Sequence, residues 1–337
     1  MLYTEITDST ISSFRSFFLS ENFVEENSLK ITSGFDNSTV FIGSTTSVFK
    51  HYIKEGNNSL KNRFIVQPCI RTQNSHFLYN DNILPKWGSY FVGLGLFSNP
   101  DKIKDLSVVI KNFIINELCI EPARLLFRVS SKDTDFLTLL EETESKENIE
   151  IDFFSIEYYR HQYGMEDIYG RNFNYAIKLN DESLRDFGNL VVIEKKGIPI
   201  CLEFGLGIST FLSAKYNKQH PLQCSTIADI LEIKDLYYIK LADSILVSVI
   251  LLKEGLKPSA SSMGKILRKY LQAISYLSNK CNFTISDIEK IIFLYEQLEY
   301  NDTSDLSKKI SSYLYLYKNL TENNHKDINR KLSTIFS

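Results

Sequence analysis

Cysteine, histidine, proline and glycine are all scarce in this chain of 337 residues, with 5, 5, 7 and 14 copies respectively. The cysteines are odd in number and far apart in sequence, which argues against a disulfide framework and against a CxxC metal site. The histidines form no HxxxH pair. The sequence therefore predicts neither a zinc site nor any other resident metal site.

A long apolar run and a strong charge of one sign are also missing. The most apolar stretch, ILVSVILL at 245–252, is too short to span a bilayer, and the first residues, MLYTEITDSTISS, are too polar for a signal peptide. The net charge of −3 gives no general attraction to nucleic acid. We therefore expect a cytoplasmic protein without a membrane partner, whose contacts with RNA, if it makes any, are local.

The residues that are present favour a folded protein of mixed secondary structure. Hydrophobic residues make up 43% of the chain and charged residues 23%, enough for a sizeable core. Helical spacing of apolar residues occurs at 8–20, 101–120 and 133–147. Strand patterns occur at 38–45, 63–71, 88–98 and 123–130, and an antiparallel set is predicted at 172–179, 189–197 and 198–204.

The composition changes near residue 220, after which nearly every segment has helical spacing. This pattern predicts an α+β fold with two domains: an antiparallel sheet flanked by helices in 1–220 and an all-helical domain in 221–337. The tail carries an apolar stripe at Leu306, Ile310, Tyr313 and Leu314. We expect this stripe to dock on the chain's own helical part, with docking on a partner as the alternative.

Two short segments are candidates for chemistry. Gly205 and Gly207 follow Glu203 at the end of an apolar strand, where they would form either a flat floor under a ligand or a strand-to-helix turn. Arg71 ends another apolar strand, and its planar guanidinium would either grip a phosphate or carboxylate or cap the strand at the surface.

Taken in order, these segments resemble the alanyl-tRNA synthetases, a family of class II aminoacyl-tRNA synthetases. VQPCIRTQNSH at 66–76, followed by WGSYFVGLGLFS at 87–98, looks like the family's second signature motif. LEFGLGISTFL at 202–212 is similar to its third motif, D-T-G-M-G-L-E-R. The segment 241–273 matches the family's helical stretch without a gap, so the resemblance covers about residues 10 to 300.

This resemblance implies a class II synthetase-like sheet followed by a helical domain that recognises the tRNA acceptor end, without the family's editing and oligomerisation domains. The family joins an amino acid to ATP with Mg²⁺, forms an aminoacyl adenylate and passes the acyl group to tRNA. Arg71 matches the catalytic arginine that grips the α-phosphate, and Glu203 replaces the aspartate that binds the substrate ammonium group. The implied sites are Arg71, Phe91, Gly205 and Gly207 for ATP; His161, Asn189, Val191, Glu203 and Gly205 for the amino acid; and Arg268 and Lys269 for tRNA.

The sequence departs from the family's pattern at several charged positions. Thr210 replaces the third-motif arginine that holds the terminal phosphate of ATP, Val92 replaces a glutamate, and Ser75 replaces a lysine. Arg171, which is absent from the family's pattern, would be either a substitute cation or a solvated loop residue.

These departures predict a paralogue that binds ATP and an amino acid, or an aminoacyl adenylate, without ordinary charging of tRNA with alanine. One alternative is an active AMP-forming ligase of altered specificity, which transfers an aminoacyl group to tRNA, a carrier or a small molecule. The other is a regulatory or RNA-binding pseudo-synthetase with a protein partner.

Overall fold

The structure is a computed structural model that describes residues 2–55, 62–301, 304–323 and 335–336. Its strands are β1 (Val24–Glu25), β2 (Arg63–Ile70), β3 (Tyr90–Ser98), β4 (Leu125–Ser130), β5 (Ile149–Asp152), β6 (Arg160–Gln162), β7 (Ile168–Lys178), β8 (Leu184–Lys195) and β9 (Ile198–Gly207). Its helices are α1 (Tyr3–Ser20), α2 (Thr46–Glu55), α3 (Ile103–Asn112), α4 (Thr134–Thr143), α5 (Ile208–Lys215), α6 (Leu236–Lys253), α7 (Ser262–Lys280), α8 (Ile285–Tyr300) and α9 (Leu306–Asn323).

A single sheet organises the first part of the chain. Its strand order is β1-β2-β3-β9-β8-β7-β4-β5, with β6 pairing beside β7. The central pairings are antiparallel, and the pairings of β1 with β2 and of β4 with β5 at the two edges are parallel. The predicted architecture, an antiparallel sheet flanked by helices and followed by a helical region, is confirmed.

The two faces of the sheet differ in chemistry because side chains alternate along each strand. One face buries large apolar side chains such as Leu94, Phe204 and Leu190 against α1, α3, α4 and α5. The opposite face of the same strands presents glycines and polar side chains, among them Gly93, Gly205 and Asn189. This opposite face is therefore polar around these residues, whereas elsewhere along the same strands Phe97, Ile193 and Cys201 pack against α2 in a third apolar cluster.

The helical region has its own core. The side chains of α6 are buried almost throughout, which explains the continuous apolar run in its sequence. The predicted tail stripe is buried in this core, so its docking on the chain's own helical part is confirmed. A domain boundary near residue 220, between α5 and α6, remains our proposal. In the described part of the chain, no helix combines the length and the apolar character needed to cross a membrane.

The predicted strand at 38–45 is wrong. This segment forms turns around Asp36, whose buried carboxylate accepts hydrogen bonds from Ser38, from the Ser47 hydroxyl and from the Lys50 ammonium group. The Asp36 carboxylate holds the Ser38 N–H in this turn, and Ile42 forms single backbone hydrogen bonds with Ile31 and Ile70 rather than a continuous ladder. The sequence patterns also missed β1, β5 and β6, which are too short to show a period.

Asp243 on α6 joins the helical region to the sheet. Its buried carboxylate accepts hydrogen bonds from the Ser89 backbone N–H and hydroxyl, both at 2.6 Å. Because the Ser89 hydroxyl donates to Asp243, the Tyr270 hydroxyl on α7, at 2.7 Å, donates to Ser89. The Ser89 carbonyl in turn accepts from the Arg71 backbone N–H at 2.8 Å. The helical region thereby fixes the backbone that carries Arg71.

We expect Asp243 to make stability depend on pH. Burial raises the pKa of Asp243 to about 6, so the folded protein holds this proton more tightly than the unfolded chain does. The stabilisation is complete below about pH 4 and is lost as the pH rises through about 6, which changes the free energy of unfolding by about 3 kcal/mol. Urea unfolding between pH 4 and 7 should show the wild type losing stability relative to Asp243→Asn. A pH-independent difference would contradict this role, and Asp101→Asn on the exposed surface is the control.

Candidate active site

A cavity of about 500 Å³ lies on the polar face of the sheet, above β3, β8 and β9. It is lined by every residue that the sequence assigned to ATP or to the amino acid: Arg71, Phe91, His161, Asn189, Val191, Glu203, Gly205 and Gly207. These residues come from five separate segments of the chain, and the sheet register brings them together.

Glycines form the floor of the cavity. Gly93 pairs with Gly207 and Gly95 with Gly205 across the β3–β9 ladder. Neither glycine of β9 has a positive φ, so the strand-to-helix turn does not require them. A Cβ on Gly205 would meet only Asn189 Oδ1, at 3.4 Å. The missing side chains therefore leave room above the sheet, as the flat-floor interpretation expects.

Glu203 is a buried carboxylate at one end of this floor, with 7% of its surface exposed. Oε1 accepts a hydrogen bond from the Thr46 hydroxyl, and Oε2 accepts one from the Tyr163 hydroxyl at 3.0 Å. Burial raises the pKa of Glu203, against the lowering effect of both hydroxyls and of the Arg71 charge. Among the described residues, no basic side chain forms an ion pair with it.

Arg71 and Phe91 form a stacked pair in the cavity. The guanidinium carbon lies 5.0 Å from the centre of the Phe91 ring, and Nε donates to the Gly43 carbonyl at 3.0 Å. The carbonyl and the ring hold the guanidinium plane, while its exposed terminal nitrogens remain able to donate to an anion. Among the described residues, Arg71 is the only lysine or arginine that lines the cavity.

A row of hydrogen-bonded side chains forms one wall of the cavity. His161 Nε2 lies 2.9 Å from Asn172 Oδ1, and the Asn172 amide donates to Asn174. Asn174 Nδ2 donates to Asp186 at 2.8 Å, and Asp186 also accepts from Arg128 at 2.9 Å. His161, Asn174 and Asp186 line the cavity. Burial lowers the pKa of His161, which keeps its ring neutral near pH 7.

Three chains with which this fold overlaps are aminoacyl-tRNA synthetases. The Entamoeba histolytica aspartyl-tRNA synthetase is 14% identical over 66% of this chain, with a TM-score of 0.39. The Pyrococcus horikoshii asparaginyl-tRNA synthetase, solved with asparaginyl-adenylate, is 8% identical over 66% of this chain and 67% of its own, with a TM-score of 0.40. The Desulfitobacterium hafniense pyrrolysyl-tRNA synthetase is 8% identical over 68% of this chain and 73% of its own, with a TM-score of 0.39.

These overlaps are partial, and this chain spans 57% of the length of the aspartyl enzyme. No protein-family model and no curated protein matches the sequence. The assignments that follow therefore rest on the residues of this cavity.

Of the four positions at which the sequence departs from the family's pattern, one lines the cavity and three do not. Thr210 lines the cavity, where a hydroxyl now stands instead of a guanidinium group. Val92 points to the apolar face of the sheet and Ser75 is buried in a short helical turn, so neither contacts the cavity. Arg171 is held by Asp135 and Glu194 and does not line the cavity, so it is no substitute for the missing arginine.

Arg268 and Lys269, the residues assigned to tRNA, lie on α7 outside the cavity. Both are partly buried, and the charge of Arg268 acts on Tyr313 of α9. Their assignment to tRNA remains a proposal.

Sequence patterns missed the residues that support the site. Thr46 and Tyr163 hold Glu203, and Asp186 ends the polar wall. Tyr163 lies two positions after His161, which the resemblance did assign to the amino-acid site, and this proximity in sequence was the available signal. Thr46 lies in the segment 43–57, which resembles a further motif of the family but suggested no role for this residue, and no sequence pattern included Asp186. In the described ranges, no group of three or more His, Cys, Asp or Glu side chains is placed to hold a metal ion.

We expect the two glycines of one cross-strand pair to respond differently to alanine. A Cβ at Gly95 would lie 2.5 Å from Thr45 Cβ, so Gly95→Ala should lower the free energy of unfolding by about 1–3 kcal/mol through overpacking. A Cβ at Gly205 points into the cavity, so Gly205→Ala should stay within about 1 kcal/mol of the wild type. Urea denaturation measures both. Equal losses would show that Gly205 is packed like Gly95 rather than open to a ligand.

Proposed function

We propose that the cavity binds an α-amino acid, either free or as the acyl part of an aminoacyl adenylate, in a class II synthetase-like site. The observation that carries this proposal is the pairing of one buried carboxylate with one exposed guanidinium in a single cavity. An α-amino acid offers one ammonium group and one carboxylate. Its two charges therefore match Glu203 and Arg71, because the third charged side chain of the lining, Asp186, is already paired with Arg128.

Glu203 supplies the ammonium site. A buried carboxylate that is held only by hydroxyl donors still lacks a cation, and a buried charge without a counter-ion is costly. A ligand ammonium group would supply that cation and form charge-assisted hydrogen bonds. Arg71 would take the ligand's carboxylate, or the phosphate of an adenylate, since its charge already acts on Glu203 from within the same cavity.

Phe91 supports a nucleotide beside the amino acid. Its ring is partly exposed in the cavity, and Arg71 already stacks on it, so an adenine base would find an aromatic face and a cation together. A volume of about 500 Å³ lies in the range of small-molecule and cofactor sites. The glycine floor would let both parts of an adenylate approach the sheet closely.

ATP-dependent formation of the adenylate is the second candidate function, and the Arg71–Phe91 pair is the observation that favours it. Arg71 is, however, the only lysine or arginine among the described lining residues, while a triphosphate carries several negative charges. The described lining contains only two acids, Asp186 and Glu203, and no group of three or more His, Cys, Asp or Glu side chains in the described ranges is placed to hold a resident Mg²⁺. Amino-acid-dependent ATP–pyrophosphate exchange that Arg71→Ala abolishes would establish this second function.

We expect Glu203 and Arg71 to have separable effects on binding. Glu203→Gln should weaken the binding of an amino acid by about 10- to 100-fold, because a hydrogen bond to a charged group contributes about 1.5–3 kcal/mol. It should affect AMP much less. Arg71→Ala should weaken the binding of both the amino acid and AMP, since the guanidinium would contact the amino acid's carboxylate or the phosphate.

Calorimetric titrations with each standard amino acid and with AMP measure these effects. The matched controls are Glu142→Gln and Arg15→Ala, which remove single members of exposed ion pairs away from the cavity. If Glu203→Gln weakened the binding of AMP as much as the binding of the amino acid, Glu203 would be only a structural residue.

We also expect the affinity for the amino acid to depend on pH in one direction. The pKa of Glu203 is raised by burial, and only the ionised carboxylate attracts an ammonium group. Affinity should therefore fall as the pH decreases through this raised pKa and should level off above it. Titrations from pH 5 to 8 should show this fall in the wild type and a flat profile in Glu203→Gln. An affinity that rises toward low pH would contradict the assignment.

A further inference from the structure

The polar wall of the cavity has a fixed direction of hydrogen bonding. The Asp186 carboxylate only accepts hydrogen bonds, so Asn174 must turn its amide nitrogen toward it. The Asn174 oxygen then accepts from the amide nitrogen of Asn172, which leaves Asn172 Oδ1 facing His161. An amide oxygen only accepts, so His161 donates from Nε2 across the 2.9 Å contact with Asn172. The Asn189 amide nitrogen lies 3.4 Å from the same Nε2, but we take the shorter contact as the hydrogen bond, because a nitrogen that donates to Asn172 cannot also accept from Asn189. Asp186 thus sets the tautomer of a histidine three side chains away.

This tautomer determines what His161 offers to a ligand. With its proton on Nε2, the neutral ring carries a lone pair on Nδ1, which accepts a hydrogen bond and cannot donate one. The ring is partly exposed in the cavity, and its centre lies 6.4 Å from the ring centre of Tyr163, which bonds to Glu203. His161 is therefore a neighbour of the ammonium site, where the side chain of a bound amino acid begins.

We propose that the cavity selects an α-amino acid whose side chain donates a hydrogen bond, that His161 Nδ1 accepts this bond, and that Asp186 is the positioning residue. This inference rests on the function proposed above and specifies its substrate class. A bound aliphatic side chain would displace water from the wall and leave the polar groups of the wall without a partner. Sites built to pair with a polar group discriminate strongly against analogues that lack it.

Pairs of nearly isosteric amino acids test the substrate class directly. Serine against α-aminobutyrate and threonine against valine differ mainly in one hydroxyl group, and asparagine against leucine differs in one amide group. In at least one pair, the donor-bearing member should bind wild-type protein at least about tenfold more tightly. His161→Phe should abolish that preference by weakening only the donor-bearing member, whereas His76→Phe, at an exposed histidine outside the cavity, should keep it.

The tautomer can be measured without any ligand. Long-range ¹H–¹⁵N spectra of protein labelled at its five histidines, with His161 assigned by comparison with His161→Phe, should show the proton on Nε2 and a lone pair on Nδ1. Asp186→Asn should shift His161 toward the other tautomer and reduce the preference for the donor-bearing amino acid, because an amide can present either group to Asn174. Asp181→Asn, in an exposed turn, is the matched control.

The outcomes separate this inference from the function on which it rests. Binding that depends on Glu203 but shows no preference within any pair overturns the substrate class and leaves the amino-acid site intact. If His161→Phe still prefers the donor-bearing amino acid of a pair, another residue makes this selection, and the role of His161 is overturned. An unchanged His161 tautomer in Asp186→Asn overturns the positioning role. If no amino acid binds, the proposed function fails, and this inference fails with it.

Discussion

The carboxylate of Glu203, buried without a cation, is the constraint on which the organisation of this site depends. Its position is set by β9, and its charge is held only by the hydroxyls of Thr46 and Tyr163. The Thr46 hydroxyl comes from the first residue of α2, and the Tyr163 hydroxyl comes from the residue that follows β6, so contacts outside the central strands fix both segments. Asp36 anchors the turns before Thr46, and the short strand β6 anchors the segment of Tyr163. The fold thereby positions a carboxylate whose ionised form is disfavoured by burial, and in the proposed function a ligand ammonium group supplies its counter-ion.

A second buried carboxylate connects this site to the rest of the molecule. Asp243 binds Ser89 from the helical region, and Ser89 binds the backbone of Arg71. Different parts of the protein therefore fix the two charged residues of the proposed amino-acid site. The sheet and its turns hold Glu203, and the helical region helps to hold Arg71. A change in the packing of α6 or α7 would move Arg71 relative to Glu203. This link gives the helical region a role in shaping the cavity without contact with the ligand.

Much of the sheet was predictable from the sequence because its long strands, such as β3, β7 and β9, are buried over runs of consecutive positions and are therefore apolar stretches in the sequence. The order of the motifs in the sequence pointed to the eight residues assigned to ATP and to the amino acid. In the structure, the register of the strands places all eight in the lining of one cavity. The strand predicted at 38–45 was wrong because the apolar residues of this segment have strand spacing, while the hydrogen bonds that Ser38 and Ser47 donate to Asp36 favour turns. Asp186 escaped notice because its effect passes through Asn174 and Asn172, a relation that only three-dimensional contacts show.

The ionisation of Glu203 tests the central claim most directly. Its side-chain carboxyl carbon can be followed by ¹³C NMR in protein labelled at glutamate, with Glu203→Gln to assign the signal. In the free protein, we expect a titration midpoint above the ordinary value for glutamate, because burial raises the pKa. Saturation with a bound α-amino acid should move that midpoint to lower pH, because the ammonium group stabilises the ionised form. A midpoint that stays in place while the amino acid is bound would contradict the assignment of Glu203 as the ammonium site.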